Sequence, residues 1–445
     1  MNAPAAKLAT GVPLAQALIA ESFGTDRGCL VIGGFRVPDL LAAYGSPLYV
    51  YDGDVIERRY GALARAVEGF AEVYYSIKAN PNPAVARLMV DRGAGLEIAS
   101  GAELRLALRA GARPERILFA GPGKGAEELE YAIAQGIGEI HLESFEEIAA
   151  VAATARRLSR TVDVAIRVTP AAAAQGGAMR MGGKPAAFGF DEEILGEVAD
   201  GIAVHPELNL TGLHLFAGTQ ILDADVLLTQ WRHGLGLAAQ LGRHAGRPLG
   251  SIDLGGGLGI PYHQGDASLD LARLAAGAAR LQTERRGDPL TAAARIVIEP
   301  GRYLVGPAGV YLSTVRAVKV SRGHRFVIAD GGMHHHLAAS GNLGQVIKRD
   351  YPIVAATRLD AAPVSPATLA GPLCTPLDTL ARQTALPELA TGDALAVLQS
   401  GAYGLSSSPV GFLSHPMPAE VLVRDGTHTC IRPRGDFDAP LVNLG

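Results

Sequence analysis

The sequence predicts an α/β protein in two parts, a TIM-type (β/α)8 barrel over residues 47–300 and a C-terminal all-β domain. Between these bounds, short apolar segments alternate with Ala- and Leu-rich segments of helical pattern, and repeated βα units of this kind form a parallel sheet. There are about eight such units, which favours a closed barrel over the alternative of an open, doubly wound sheet. After residue 301 the pattern becomes β-rich, which predicts the second domain.

The barrel strands are predicted where short apolar runs are bounded by turn or capping residues. They are expected at residues 48–51, 73–77, 95–98, 117–119, 139–142, 163–168, 209–215, 251–254 and 295–298. Helices are predicted between them, and Ser144 with Glu146 and Glu147 is a typical helix start. The Ala- and Gly-rich stretch 169–189 is predicted to be a loop. In the second domain, strands are expected at residues 309–320, 325–330, 393–398, 419–423 and 427–432.

Composition restricts the functional class. The chain has 445 residues, which is enough for two domains, and 48% of them are hydrophobic and 19% charged, as in a globular protein. A net charge of −4 gives no basic surface for nucleic acid, and no segment approaches the roughly 18 apolar residues of a membrane helix. Residues 1–13 show no secretory signal and the three cysteines form no disulfide framework. We therefore expect a cytoplasmic protein with no nucleic-acid or membrane partner.

Lys78 is the most informative residue. It ends a predicted strand of β-branched and aromatic residues, and the run 80–83 (Asn-Pro-Asn-Pro) then stops the strand before a helix. Active sites of α/β proteins lie at this end of their strands. A lysine there is costly unless it is paired, solvated or used covalently, and desolvation makes it a nucleophile towards carbonyl groups. A lysine that reaches into solvent is the alternative that this segment alone leaves open.

Three further motifs carry chemistry. The run 253–259 places three consecutive glycines after a strand, where backbone N–H groups can cradle a phosphate, although such a run can also be a plain tight turn. Glu299 ends another strand and is followed by Pro, Gly and Arg. Cys374 lies on a loop between Gly-Pro and Pro, where a reactive role is favoured over that of a small core residue.

Together these runs resemble the pyridoxal phosphate (PLP)-dependent decarboxylases of fold type III, which have the alanine-racemase-type barrel and include diaminopimelate and ornithine decarboxylases. The resemblance extends from about Pro47 to Leu422. It implies that Lys78 carries pyridoxal 5'-phosphate as an aldimine and that Cys374 protonates the carbanion after carbon dioxide leaves. It also implies a homodimer, with the cysteine loop reaching the partner's active site, and a β-rich domain made of residues 1–46 and 301–445.

The resemblance assigns more residues to the cofactor. Glu299 would face the pyridine nitrogen and keep it protonated, which strengthens the ring as an electron sink. Phe216 stands where the family has a histidine stacked on the ring, and a phenyl ring can still pack there. Glu97 would hold the released lysine, and Arg167 would lie near the ring, unless the two form ordinary ion pairs. The expected cofactor-binding residues are Glu97, Arg167, His214, Phe216, Thr219, Gly255, Gly256, Gly257, Glu299, Gly301, Arg302 and Tyr403.

Departures from the family pattern concern the substrate. Diaminopimelate decarboxylases carry a glutamate after the loop cysteine and ornithine-type enzymes an aspartate, whereas this chain has Thr375. A distal ammonium group then lacks its anchor. The chain is most similar to the branch that contains a decarboxylase of butirosin biosynthesis, which acts on a carrier-bound glutamyl group, and exosortase-associated decarboxylases. We therefore expect a glutamyl-type substrate, free or linked to an acyl carrier protein, that contacts Thr375, Asp378 and His334.

Other functions are weighed against this one. Decarboxylation of diaminopimelate, ornithine or lysine is the first alternative. An amino-acid racemase is disfavoured because racemases of this barrel carry a tyrosine base where this loop has Cys374, and a plain PLP carrier is disfavoured because such carriers have only the barrel. His334, His335 and His336 invite a metal interpretation, but on a strand they would alternate between faces, so no metal is expected.

Overall fold

The structure, a computed structural model, describes residues 13–171, 179–180, 185–216, 218–343 and 348–442. Its strands in chain order are β1 (Gly24–Asp26), β2 (Cys29–Ile32), β3 (Phe35–Arg36), β4 (Leu48–Asp52), β5 (Glu72–Ser76), β6 (Gly95–Ile98), β7 (Ile117–Phe119), β8 (Glu139–Leu142), β9 (Val162–Thr169), β10 (Met179–Arg180), β11 (Phe190–Asp191), β12 (Leu208–Leu215), β13 (Gly218–Thr219), β14 (Ser251–Asp253), β15 (Arg295–Ile298), β16 (Gly309–Ser321), β17 (His324–Ala329), β18 (Ile353–Ala355), β19 (Ser365–Ala370), β20 (Thr379–Leu386), β21 (Ala394–Val397), β22 (Ala419–Arg424) and β23 (Thr427–Arg432).

The α-helices are α1 (Leu14–Ser22), α2 (Val37–Tyr44), α3 (Gly53–Ala66), α4 (Pro83–Val90), α5 (Gly101–Arg109), α6 (Ala126–Gln135), α7 (Phe145–Arg157), α8 (Leu195–Ala203), α9 (Ala224–His244), α10 (Leu271–Arg286) and α11 (Arg302–Val305). Within the described ranges, none of these helices combines the length and the apolar character needed to cross a membrane. Parts of two predictions, the segment 1–12 and most of the loop at 169–189, lie outside the described residues.

The chain divides into two compact units. The described part of the first unit comprises Arg59–Ile260 and Ala267–Tyr303, and that of the second comprises residues 13–58, the short segment Pro261–Asp266 and residues 304–442. This division places the first boundary later than the predicted residue 47, and it adds a six-residue piece from the middle of the barrel sequence to the β-rich unit.

The first unit is a closed barrel of eight parallel strands, which confirms the predicted fold class. The strands follow one another around the barrel in chain order, β5, β6, β7, β8, β9, β12, β14 and β15. Pairing of Val297 with Glu72 joins the last strand to the first and closes the barrel. The short strand β11 adds to β9 outside the closed ring. Because all the strands are parallel, their carboxyl ends lie on one face, where such barrels carry their sites.

Local sequence signals fix the βα turns on that face. After β5 the chain makes one 3-10 turn, Ile77–Ala79, and Asn82 then caps α4 by accepting a hydrogen bond from the Ala84 N–H at 3.0 Å. Pro83 takes the first helical position, where its missing N–H is not needed. Ser144 caps α7 by accepting from the Glu147 N–H, as predicted. These caps hold each turn at the strand end in one conformation.

The second unit is built on a mixed sheet in the order β20-β19-β17-β16-β4-β22-β23. Its longest strand, β16, pairs with β4 and β21 through its first half and with β17 through its second half. β19 and β20 form an antiparallel hairpin whose connection is the loop 371–378. The C-terminal all-β domain that the sequence predicts is thus present, with α1, α2 and the small sheet β1-β2-β3 contributed by the N-terminal segment.

The prediction for residues 48–51 was wrong in one respect. The strand exists, as β4, but it pairs antiparallel with β16 and parallel with β22 and does not belong to the barrel. All five of its residues are buried and a helix follows it, so its local pattern equals that of a barrel βα unit. Its partners lie more than 250 positions later in the chain, and periodicity within a short window cannot identify them.

Replacement of Trp231, which is the chain's single tryptophan, should destabilise the barrel unit strongly. Its side chain on α9 is 1% exposed and packs against Phe70 with ring centroids 5.6 Å apart. Trp231→Ala is expected to cost about 3–5 kcal/mol because it leaves a large cavity. Urea unfolding followed by far-UV circular dichroism measures the loss. Phe437→Ala, at a side chain that is 85% exposed, should change stability by less than about 0.5 kcal/mol, and equal losses in both variants would contradict the packing argument.

Candidate active site

Lys78 and Glu97 form an ion pair at the carboxyl ends of two neighbouring strands. The Lys78 Nζ lies 2.9 Å from both carboxylate oxygens of Glu97, which is fully buried on β6. The Ser76 hydroxyl also donates to Glu97, at 2.5 Å. The pairing of Ser76 with Glu97 across β5 and β6 puts the lysine and the carboxylate on the same face of the barrel. The buried carboxylate therefore has donors for its charge, while the lysine side chain keeps 41% of its surface exposed.

Five buried polar side chains meet inside the barrel beside this pair. His141 on β8 lies between Glu139 and His214: its Nε2 is 3.1 Å from Glu139 Oε1 and its Nδ1 is 2.9 Å from His214 Nδ1. His214 Nε2 in turn lies 3.4 Å from Glu299 Oε2. Asp253, at the end of β14, is the fifth member and accepts a hydrogen bond from the Gly255 N–H at 2.8 Å. All five are at most 5% exposed.

Burial and mutual charge set the protonation of this group. Burial lowers the pKa of His214 to about 4, although the Glu299 carboxylate acts to raise it. Burial and the neighbouring Glu299 raise the pKa of Asp253 well above its usual range. Burial would also raise the pKa of Glu299, but neighbouring His214 and the charge of Lys78 lower it. Near neutral pH the His214 ring is therefore neutral, and of the two carboxyl groups Asp253 is the one that keeps a proton more readily.

The three consecutive glycines form a close-packed turn at the end of β14. A Cβ atom at Gly255, Gly256 or Gly257 would lie 2.4–2.6 Å from a backbone carbonyl oxygen, that of Glu299 in the case of Gly256. Gly255 and Gly257 also have positive φ, at 67° and 93°, a region that other residues rarely adopt. Here the glycines are required by close backbone approach, and the Gly255 N–H donates to the Asp253 carboxylate.

The other predicted cofactor residues of the barrel lie at neighbouring strand ends. Arg167 on β9 donates to Glu143 at 2.6 Å and its guanidinium lies 5.1 Å from the centre of the Phe188 ring, so it forms the ion pair that was the alternative to direct ring contact. Half-buried Phe216 follows β12, and Thr219 lies on β13. Gly301 and Arg302 follow Glu299; a Cβ at Gly301 would meet Ala79 and Ser76, and Arg302 begins α11.

The cysteine loop, residues 371–378, lies in the β-rich unit and is held by Asp378. One carboxylate oxygen of Asp378 accepts from the Met333 N–H at 2.6 Å and the other from the Leu373 N–H at 2.8 Å. Cys374 is a free, exposed thiol and Thr375 is half-buried beside it. Asp378 was predicted to contact substrate, and this stays a prediction. Because both of its oxygens accept backbone hydrogen bonds, it also braces this loop.

Tyr403 and the three histidines lie elsewhere in the same unit. Tyr403 follows β21 in a left-handed conformation with φ of 52°, which is rare for a bulky residue and is often kept at functional positions. The histidines lie in a turn after β17, so the strand argument used against a metal does not apply to them. His336 is fully buried, with Nε2 2.9 Å from Ser400 Oγ and the Ala339 N–H directed at Nδ1. His334 is buried, and its ring nitrogens bond to no described residue.

Comparison with known proteins now identifies the family. A sequence profile described as "Pyridoxal-dependent decarboxylase, pyridoxal binding domain" matches residues 54–306. The L-glutamyl-[BtrI acyl-carrier protein] decarboxylase of Niallia circulans is 40% identical over 91% of this chain and 94% of its own length. The chain belongs to the pyridoxal-dependent decarboxylase family.

Two further comparisons support the same family assignment. The diaminopimelate decarboxylase of Zymomonas mobilis is 31% identical over 93% of this chain and 96% of its own. The crystal structure of diaminopimelate decarboxylase from M. jannaschii in complex with L-lysine superposes with a TM-score of 0.87 at 26% identity, covering 96% of this chain and 98% of that one. The enzyme class and the PLP cofactor expected from the sequence are thereby confirmed.

The residues of this decarboxylase fit PLP. Glu299 Oε1 is buried and makes no hydrogen bond to any residue that the structure describes, and a buried acceptor of this kind suits the N–H of a protonated pyridine ring. The glycine turn at the end of the adjacent strand suits a phosphate. Lys78 stands at the mouth of the same barrel, next to a carboxylate that can hold its ammonium form.

Sequence reasoning missed Glu139, His141 and the role of Asp253. Glu139 and His141 occupy alternate positions of one strand, and residues two apart face the same side of a sheet. Two polar residues two positions apart in a buried strand would have been the available signal. Asp253 directly precedes the glycine run, which drew attention to the backbone and away from its side chain.

The buried histidines make the β-rich unit sensitive to acid. Burial lowers the pKa of His336 to about 3 from an ordinary value of 6.5. The unfolded state then binds the proton more readily, so the stabilisation is complete above pH 6.5 and is lost as the pH falls towards 3. The free energy of unfolding should fall by about 1.4 kcal/mol per pH unit for this histidine. Urea unfolding of the unit between pH 7 and 4.5 measures the slope.

His336→Asn should make this slope shallower by about the same amount. His205→Asn, at a half-buried histidine in the loop after α8, serves as the control and should leave it unchanged. An identical pH slope in wild type and His336→Asn would show that this histidine is not held neutral.

Proposed function

We propose that this decarboxylase acts on a glutamyl-type amino acyl group linked to a carrier protein. The observation that carries the proposal is the content of the cysteine loop. The acidic position that follows the cysteine in diaminopimelate- and ornithine-type enzymes is Thr375, and the loop's one carboxylate, Asp378, accepts two backbone hydrogen bonds. A distal ammonium group would therefore be buried without an anionic partner on this loop. The 40% identical relative, which is named for a carrier-linked L-glutamyl substrate, supports the same conclusion.

Each catalytic role is assigned to a residue with suitable surroundings. Bound PLP supplies an electron sink that accepts the electron pair of the α-carbon when carbon dioxide leaves. Lys78 holds the cofactor, and Glu97, 2.9 Å from Nζ, stabilises the ammonium form that appears when substrate displaces the lysine. Glu299 holds the proton on the ring nitrogen. The Gly255–Gly257 turn, with Thr219, Gly301, Arg302 and Tyr403, binds phosphate.

The proton for the α-carbon comes from Cys374. Its thiol is exposed at the tip of a hairpin whose base Asp378 fixes, so the loop presents it in a defined position. We propose that the enzyme is a homodimer in which this loop serves the barrel of the second subunit. Large apolar side chains in the same unit are exposed and need a cover, since exposed apolar clusters mark interfaces: Leu343, Leu377, Phe412 and Leu413. We also propose a cytoplasmic location, because all three cysteines are free.

Complementation between two inactive variants tests the shared site. Lys78→Ala and Cys374→Ala should each abolish nearly all turnover. After subunit exchange about half of the dimers are mixed, and each holds one intact site and one doubly damaged site, so about a quarter of wild-type activity should return. Release of carbon dioxide measures it.

Cys430→Ala is the matched control, because Cys430 is a second exposed cysteine of the same unit and should retain full activity alone. If exchange is demonstrated by mass spectrometry and no activity returns, Lys78 and Cys374 do not act across two subunits.

Substrate preference tests the specificity argument. Glutamyl-loaded acyl carrier protein, free glutamate, diaminopimelate, ornithine and lysine are compared by carbon dioxide release. The carrier-linked substrate should have the highest kcat/KM, since a neutral hydroxyl at Thr375 gives a charged group at best about 1.5–3 kcal/mol.

Thr375→Glu should raise relative kcat/KM for the diamino substrates by about tenfold or more, while Thr375→Ser, which keeps the hydroxyl, should not. Efficient wild-type turnover of diaminopimelate would establish the first alternative instead. Exchange of the α-hydrogen with no carbon dioxide release would establish a racemase.

A further inference from the structure

Behind Glu299 lies a line of buried side chains that the roles above do not use. It runs from Glu139 through His141 and His214 to Glu299, with separations of 3.1, 2.9 and 3.4 Å between successive nitrogen or oxygen atoms. Glu139, His141, His214 and Glu299 are called the relay below. Each ring nitrogen of His141 and His214 faces a nitrogen or oxygen atom of a neighbouring residue in this line. The nitrogen that carries the proton in one ring therefore depends on the tautomer of the other ring.

Counting protons shows that the relay cannot serve both carboxylates. Three gaps separate its four groups, and each gap needs one proton to form a hydrogen bond. Two neutral imidazoles bring two protons. The 2.9 Å contact between the two Nδ1 atoms needs one of these protons. When His141 and His214 are neutral, the other proton points either towards Glu139 or towards Glu299, and the opposite end is left with a nitrogen lone pair facing a carboxylate.

The geometry selects the direction. Glu139 is anchored by the hydroxyl groups of Ser251 and Thr211, which both donate to its Oε2, and His141 Nε2 lies within hydrogen-bonding distance of its Oε1. Although burial acts to raise it, these hydrogen bonds hold the pKa of Glu139 below its usual range. At the other end, His214 Nε2 makes no hydrogen bond to any described residue. The filled gaps are thus the two nearest to Glu139.

We propose that Glu139 and His141 are positioning residues that fix His214 in its Nδ1–H tautomer, so that Nε2 presents a lone pair to Glu299. This rests on the proposed role of Glu299 as the partner of the ring nitrogen. A carboxylate that receives no hydrogen bond from His214 is a stronger base towards that nitrogen than one that does. The ring then retains its proton up to a higher pH than it would if His214 donated to Glu299.

The remaining charges around His214 are consistent with a neutral ring. Asp253 on β14 lies beside Glu299, and burial and Glu299 raise its pKa, so it adds little negative charge that would favour an imidazolium. Arg167 on β9 disfavours a second positive charge at His214, and Lys78 after β5 acts on Glu299. His141 on β8 contributes the hydrogen bond at Nδ1. A second proton on the ring, at Nε2, would therefore be opposed by the ring's burial and by the cation on β9.

The tautomers can be read directly in the cofactor-loaded enzyme. Selective ¹⁵N labelling of histidine and two-bond ¹H–¹⁵N correlation spectra distinguish Nδ1–H from Nε2–H rings, and His141→Asn and His214→Asn assign the two spin systems. We expect the Nε2–H form for His141 and the less common Nδ1–H form for His214 at pH 7. An Nε2–H form or an imidazolium at His214 would overturn the proposal. So would uptake of one equivalent of Zn²⁺ by cofactor-free enzyme with perturbation of both rings.

Glu139→Gln tests the cause, since an amide can donate to His141 Nε2 and lets the relay reverse. The Nε2–H form should then appear at His214, the pH at which the bound cofactor's absorption spectrum changes should move down, and kcat should fall about tenfold or more with a smaller change in KM, as for outer-shell partners in general. Glu192→Gln breaks a 2.8 Å histidine–carboxylate contact elsewhere in the barrel unit and should change none of these. An unchanged His214 tautomer in Glu139→Gln would remove Glu139 from the relay. A changed tautomer with an unchanged cofactor spectrum would instead refute the role of Glu299, and neither outcome depends on the substrate.

Discussion

Charged groups inside a packed barrel must have partners, and this constraint organises the site. An isolated charge loses its hydration there and is retained only when it is paired or hydrogen-bonded. Lys78 has Glu97, Arg167 has Glu143 and buried Lys124 has Glu147 at 2.8 Å. The first two pairs join residues on or just after neighbouring strands, and the third joins the loop after β7 to α7. Against that background Glu299 Oε1, which accepts from no N–H group of the described residues, is the atom that we propose the cofactor completes.

In the β-rich unit, the predicted site residues Cys374 and Tyr403 lie on connections between strands. Connections in this unit are held by hydrogen bonds between the backbone and a few buried side chains. Asp378 ties the base of the cysteine loop to the segment at Met333, and Ser400 contacts both a nearby backbone carbonyl and His336. A rigid sheet with polar braces at its connections holds exposed groups in place without burying them.

The sequence was most informative where residue type and strand position coincide. Lys78, the glycine run and Glu299 each end a strand that a short apolar pattern reveals, so the fold and the strand-end positions of these residues could be predicted. Pairing over long distances could not: β4 has the local pattern of a barrel strand, and only its register with β16 shows otherwise. Glu139 and His141 were missed because a strand buried on both faces does not reveal which side chains point inward. For Asp378 the position was predicted, but its contact with the Met333 N–H, 45 residues earlier, is a tertiary feature.

The hairpin that carries Cys374 belongs to the β-rich unit, whereas the predicted cofactor residues Lys78 and Glu299 belong to the barrel. Asp378 ties the base of the hairpin to Met333 and Leu373, and the exposed tip lies outside strands β19 and β20. Under the role proposed for Thr375, substitution of that single position between acidic and neutral residues would redirect an inherited decarboxylation chemistry to a new class of metabolite. A lineage with this architecture can diversify its substrates by drift in a short surface hairpin, while selection on the electron-withdrawing centre stays constant.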